Sequence, residues 1–100
     1  MAKLPIDYHP EARGEADAAF EWYLARNVGA AARFQLQLET AQSNIQNSPN
    51  TWASYLYGTR RYTLHRYPFV VVYRKRQGRI EIVAVAHGRR KPGYWVHRLK

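Results

Sequence analysis

The chain has 100 residues, a formal net charge of +9, 46% hydrophobic residues and no cysteine. That length suits one domain, residues 1–100, with a modest core, and its aromatic content (Tyr 8, Trp 3, Phe 3) argues for a packed interior rather than disorder. Missing cysteines exclude disulfides and thiolate metal sites, and neither a run of about 18 apolar residues nor a signal-peptide stretch in MAKLPIDYHPEA is present, so a soluble, cytoplasmic protein is expected.

In chain order, Leu4, Ile6 and Tyr8 alternate with Pro5 and Asp7, which predicts a short strand over 3–8. Pro5 has no N–H to donate, so that strand belongs at a sheet edge or begins late. His9-Pro10 opens a helix, proline fitting the first helical position and Glu11 and Glu15 complementing the positive end of the dipole. Ala12, Ala16, Ala19, Phe20, Tyr23 and Leu24 recur as one apolar stripe, and Asn27-Val28-Gly29 supplies a stop.

A second helix is predicted from about Ala30 to Gln46. Ala31, Phe34, Leu38, Ala41 and Ile45 fall at steps of three and four on one face, and Asn47-Ser48-Pro49-Asn50 ends it. So short a link makes the two helices an antiparallel hairpin. Thr51 to Gly58 is apolar but irregular and reads as a packed connector, with Trp52 and Tyr55 in the core, as are Trp22 and Tyr23 on the first helix.

Three strands follow, over about Thr59–Leu64, Phe69–Arg76 and Ile80–Ala86. His65-Arg66-Tyr67-Pro68 joins the first two and the two-residue turn Gln77-Gly78 the last two. Phe69-Val70-Val71-Val72-Tyr73 is apolar at consecutive positions, as expected of a central strand covered on both faces. The order β-α-α-β-β-β implies an α+β domain, a small, mostly antiparallel sheet with helices on one side.

Charge is unevenly placed. Residues 1–50 hold four basic and six acidic groups, a net of −2, whereas residues 51–100 hold twelve basic groups and only Glu81 as an acid, a net of +11. Like charge gathered on half of a small domain costs stability through self-repulsion, which points to an acidic or polyanionic partner.

Residues 58–95 carry G-x-R-R-Y-x-L-x-R-Y-P-F-x-V-x-Y-R, a hairpin turn, I-x-I-V-A-V-A-H-G-R-R-x-P and Y-W. Preceded by a helical hairpin, this pattern resembles the RelE/ParE superfamily of bacterial toxins, the toxin halves of type II toxin–antitoxin pairs, and the resemblance covers nearly the whole chain in element order. It implies a cytoplasmic toxin neutralised by a cognate antitoxin whose acidic, partly disordered C-terminal segment wraps it. RelE-like members cleave mRNA at the ribosome; ParE-like members inhibit DNA gyrase. The arginine that RelE-like enzymes usually carry near the start of the middle strand aligns here with Pro68-Phe69, and Phe69 cannot stabilise a phosphorane charge. With the longer H-G-R-R-x-P-x-Y-W ending, the resemblance leans to ParE: a gyrase inhibitor with no cofactor and no catalytic centre of its own. The alternative is a RelE-like endoribonuclease, in which Arg61, Arg74, His87, Arg89 and Tyr94 would position phosphate and move protons. A basic nucleic-acid-binding module is a third reading.

For partner or nucleic-acid binding the candidates are Arg60, Arg61, Arg66, Arg74, Arg89, Arg90, Lys91, Tyr94 and Trp95. Strand pleat puts Arg60 and Arg61 on opposite faces, where they serve either as phosphate or carboxylate forks or as solvated edge charges. His87, at a strand end, suits acid–base work or a packed rim position, with no partner acid evident in the sequence. Trp95 is expected to fold back on the helices as a C-terminal clasp and Tyr94 to stay exposed. The spacing of His9, His65, His87 and His97 matches no metal-ligand motif.

Overall fold

A computed structural model describes residues 3–100. The elements in order are strand β1 (Ile6–Tyr8), helices α1 (Pro10–Leu24) and α2 (Val28–Asn47), and strands β2 (Ala53–Ser54), β3 (Arg60–Thr63), β4 (Phe69–Arg76) and β5 (Arg79–His87). Short 3₁₀ turns cover Leu56–Gly58 and Val96–Leu99. The five strands form one mixed sheet in the order β1-β5-β4-β3-β2. Only β1 and β5 pair in parallel, with Ile6 opposite Ile80 and Tyr8 opposite Ile82. As proline chemistry requires, β1 is an edge strand, and the Pro5 carbonyl accepts from the Ile80 N–H at 2.8 Å.

Both helices begin on side-chain caps. His9 Nδ1 accepts from the Glu11 N–H, ahead of Pro10, and Asn27 Oδ1 accepts from the Ala30 N–H. The segment expected to stop the first helix therefore starts the second, two residues earlier than the stripe alone indicates, with Val28 and Gly29 in its opening turn. A shared core gathers Ala12, Ala16 and Ala19 of α1 and Phe34, Leu38, Ala41 and Ile45 of α2 against Val71, Tyr73, Ile80, Ile82 and Val85 of the sheet. Phe34 centres an aromatic group, its ring edge-on to Tyr67 at 5.6 Å and to Phe69 at 5.5 Å. The Tyr67 hydroxyl donates to the Ala30 carbonyl at 2.9 Å, so the β3–β4 turn is pinned to α2.

Two details depart from the expected pattern. Thr51–Gly58 is not a plain connector, because Ala53 and Ser54 pair with Arg61 and Arg60 as a fifth strand. Trp22 is not core: it is 54% exposed, with the Arg26 guanidinium stacked 3.7 Å over its ring. Tyr23, Trp52 and Tyr55 are half-buried against the two cores.

The face of the sheet away from the helices is covered by the C-terminal segment. Trp95, 1% exposed, packs there with Val72, Val83 and Ala84. Val83 reaches that face through a β-bulge: Val72 lies opposite Ala84 but Tyr73 lies opposite Ile82, leaving Val83 as the extra residue. The bulge puts two consecutive side chains, Val83 and Ala84, under the tryptophan, while Ile82 and Val85 keep facing the helices. At the other hairpin end, Gln77 (φ 53°) and Gly78 (φ 73°) form a turn with both central residues left-handed, which matches the right-handed twist of the strands.

Candidate functional site

The parallel pairing of β1 with β5 ends at Ile82, and among the described residues no strand flanks the rest of β5 on that side. Side chains take over its edge. The Val85 N–H donates to Glu15 Oε1 at 3.0 Å, and Arg98 Nη1 donates to the Val83 carbonyl at 3.0 Å. Arg98 in turn holds both carboxylate oxygens of Glu15 at 2.9 Å, and the Tyr94 hydroxyl donates to Glu15 Oε2 at 2.6 Å. Glu15 and Arg98 thus act as a surrogate strand and bolt the C-terminal segment to α1.

The electrostatics follow from that geometry. Burial raises the Glu15 carboxyl, but hydrogen bonds from Arg98, Tyr94 and Val85 outweigh it and hold the group below its ordinary value. The Tyr94 phenol moves the other way: burial and then donation to Glu15 push it well above its ordinary range. Tyr94 is therefore not the exposed aromatic expected; it is a half-buried donor inside the latch. Trp95 is buried as a clasp, but over the sheet face away from the helices rather than on the helices as expected.

Beyond the latch, β5 ends at His87, and the segment from His87 to Arg90 forms a ridge between two grooves. One, of about 430 Å³, lies between α1 and the start of β4. Ala18 and Ala19 line it together with Trp22, Tyr23, Phe69 and Val85, so it is largely apolar, with Glu15 and Arg90 at its rim. The other, of about 300 Å³, lies on the opposite sheet face, over Val70, Val72, Ala86 and Trp95, and its rim carries Arg61, Arg90 and Lys91. His87 lines both grooves. Its ring stands edge-on to Phe69 at 5.2 Å, and its Nδ1 accepts from the Arg89 N–H at 3.1 Å, which places the proton of the neutral ring on Nε2.

These geometric features sit on a chain that matches a family model over residues 6–92, described as the ParE toxin of the type II toxin–antitoxin system parDE. The chain belongs to the ParE toxin family. A chain of the solved structure described as "Chromosomal ParDE TA system from P. aeruginosa" shares the fold, with a TM-score of 0.74 and 20% identity over 85% of this chain and 96% of that one. A comparison with curated proteins returns no match.

Within this ParE-family fold the basic candidates divide. Arg61, Arg90, Lys91 and His87 converge on the second groove, with Arg89 beside it. Arg74 does not join them: its Nε pairs with Glu81 at 2.8 Å and its Nη1 donates to the Leu99 carbonyl at 3.0 Å, holding the chain end. Arg60 donates to the Trp52 carbonyl at 2.7 Å and steadies the lead-in to β2. The Arg60–Arg61 pair is thus split by the pleat, one arginine structural and one exposed. Arg66 is exposed in the β3–β4 turn at a left-handed φ of 69°. Among the described residues no group of three or more His, Cys, Asp or Glu is placed to hold a metal ion, and no helix is long and apolar enough to cross a membrane.

Sequence reading missed Glu15 and Arg98 as partners. Glu15 did leave a trace: it sits three residues after Ala12 and four before Ala19, on the apolar stripe itself, where an acid needs a buried counter-charge. Arg98 left none: a fold-back of the tail was expected for Trp95, but the segment that receives Arg98 is decided only by the tertiary structure.

Proposed function

We propose that this ParE-family toxin acts inside the cell as a protein inhibitor of DNA gyrase and is neutralised by an antitoxin with an acidic C-terminal segment. The observation carrying the target is the fate of the groups that a ribonuclease would need. Arg74 is committed to Glu81 and Leu99, and the Tyr94 hydroxyl is committed to Glu15 with its ionisation suppressed. Phe69 fills the strand-start position with a ring packed between Phe34 and His87. What remains around the ridge is Arg61, Arg89, Arg90 and Lys91 together with His87, which pairs with no acid among the described residues; a cationic cluster of this kind suits electrostatic recognition of a large partner better than proton transfer.

The antitoxin reading rests on charge and shape. A net charge of +9 favours an acidic segment, and the apolar groove beside Trp22 offers an anchor for one large hydrophobic side chain, flanked by Arg26 and Arg90. A supercoiling assay with purified gyrase tests the target. Inhibition with accumulation of cleaved DNA is expected, and it should survive Tyr94→Phe. Unaffected supercoiling alongside ribosome-dependent cutting of mRNA would replace this reading with an endoribonuclease.

A further inference from the structure

We propose that the second groove binds a phosphorylated nucleoside, either a free mononucleotide or the terminal nucleotide of a strand. Its volume of about 300 Å³ lies at the lower end for small-molecule sites. Val70, Val72, Ala86 and Trp95 form an apolar floor, and Tyr55 and Tyr94 also line the groove, their rings already stacked with arginine. The rim is cationic. Arg61, from β3, and Lys91, from the segment after β5, both line it. Neither has a carboxylate partner among the described residues, and no acid lines the groove.

Two of the rim cations are already positioned. The Arg61 guanidinium lies 5.0 Å over the Tyr55 ring and that of Arg90 lies 3.6 Å over Tyr94. Such stacking limits the freedom that each side chain would lose on binding. Arg90 shares its charge with Glu15, 3.6 Å away, which leaves Arg61 and Lys91 to hold the phosphate. A planar base suits the stacked guanidinium planes over an apolar floor, and a phosphate relieves the repulsion between the rim cations. The site sits on the sheet face opposite the apolar groove, and its rim cations are among those that the proposed function offers to a large partner.

Calorimetric titration of the full chain tests it, using adenosine 5′-monophosphate, adenosine, inorganic phosphate, and tetradeoxyadenylate with and without a 5′-phosphate. The monophosphate is expected to bind at least about tenfold more tightly than adenosine or phosphate alone. Arg61→Gln and Lys91→Gln, both at exposed positions, should each weaken it by about fivefold or more, whereas Arg76→Gln, exposed at the far end of β4, should leave it unchanged. Comparable affinity for the 5′-phosphorylated tetranucleotide assigns the site to strand ends; affinity for the monophosphate alone assigns it to free nucleotides. The proposal is overturned if phosphate and the monophosphate bind alike, or if Arg61→Gln and Lys91→Gln act no more strongly than Arg76→Gln.

Discussion

Arg98 and Glu15 meet as a two-pronged ion pair, both guanidinium–carboxylate contacts at 2.9 Å, across 83 positions of sequence. The arginine side chain is 5% exposed and the glutamate 15%. Each also bonds the backbone edge of β5, so the pair does the work of a missing strand and ties the last turn of the chain to the first helix.

Breaking that pair should be costly, because it leaves a buried charge without its counter-ion. Glu15→Gln is expected to destabilise the fold by about 3 kcal/mol in chemical denaturation, and adding Arg98→Met should restore a good part of the loss. If the single substitution costs less than about 1 kcal/mol, the latch is not a stabilising element.

The same pair sets a pH dependence. The folded-state pKa of Glu15 is depressed below the unfolded value of 4.5, so its contribution is present above that value and is lost as pH falls through the folded one. Denaturation midpoints should therefore drop on acidification below about pH 4.5, and the drop should be shallower in Glu15→Gln. Parallel profiles for the two proteins would contradict this.

Tyr94 titrates late because its proton is donated to a carboxylate in a half-buried site. Followed by absorbance of the phenolate, the eight tyrosines should give the same native-state curve in Tyr94→Phe as in the parent up to about pH 11. Loss of one eighth of the amplitude below that pH would show that the hydroxyl is free. The substitution itself should cost about 1 kcal/mol.

Trp22 separates stability from binding. Being half exposed, it should be replaceable by alanine for about 1 kcal/mol or less, while antitoxin affinity falls by about tenfold or more if its indole walls the anchoring groove. Surface plasmon resonance against the antitoxin reads the second quantity. Unchanged affinity would move the anchor elsewhere.

At the β4–β5 turn, Gln77 holds a left-handed conformation that side-chain-bearing residues resist. Gln77→Asn should raise stability by about 0.5 kcal/mol. Gly78→Ala should lower it by about 1 kcal/mol through backbone strain alone, since an added Cβ there meets nothing within 4 Å. A neutral result for both would mean that the turn relaxes freely.

Much of the scaffold was readable from residue order. The α2 stripe, Ala31, Phe34, Leu38, Ala41 and Ile45, is fully buried as its spacing requires, and β4 and the Gln77-Gly78 turn fall where expected. These features are local: helical periodicity, proline and glycine geometry, and strand-forming runs act within a few residues. What only the tertiary structure decided is non-local. Ala53-Ser54 becomes a strand because β3 lies beside it, and Trp22 is left half outside with Arg26 stacked on its ring. The Val83 bulge lets Trp95 close the second face. Glu15, read from sequence as a dipole partner, becomes a hub because the chain end returns with Arg98 and Tyr94. Charge and periodicity announce which side chains need partners; which partner each one gets is fixed only when the sheet closes and the tail folds over it.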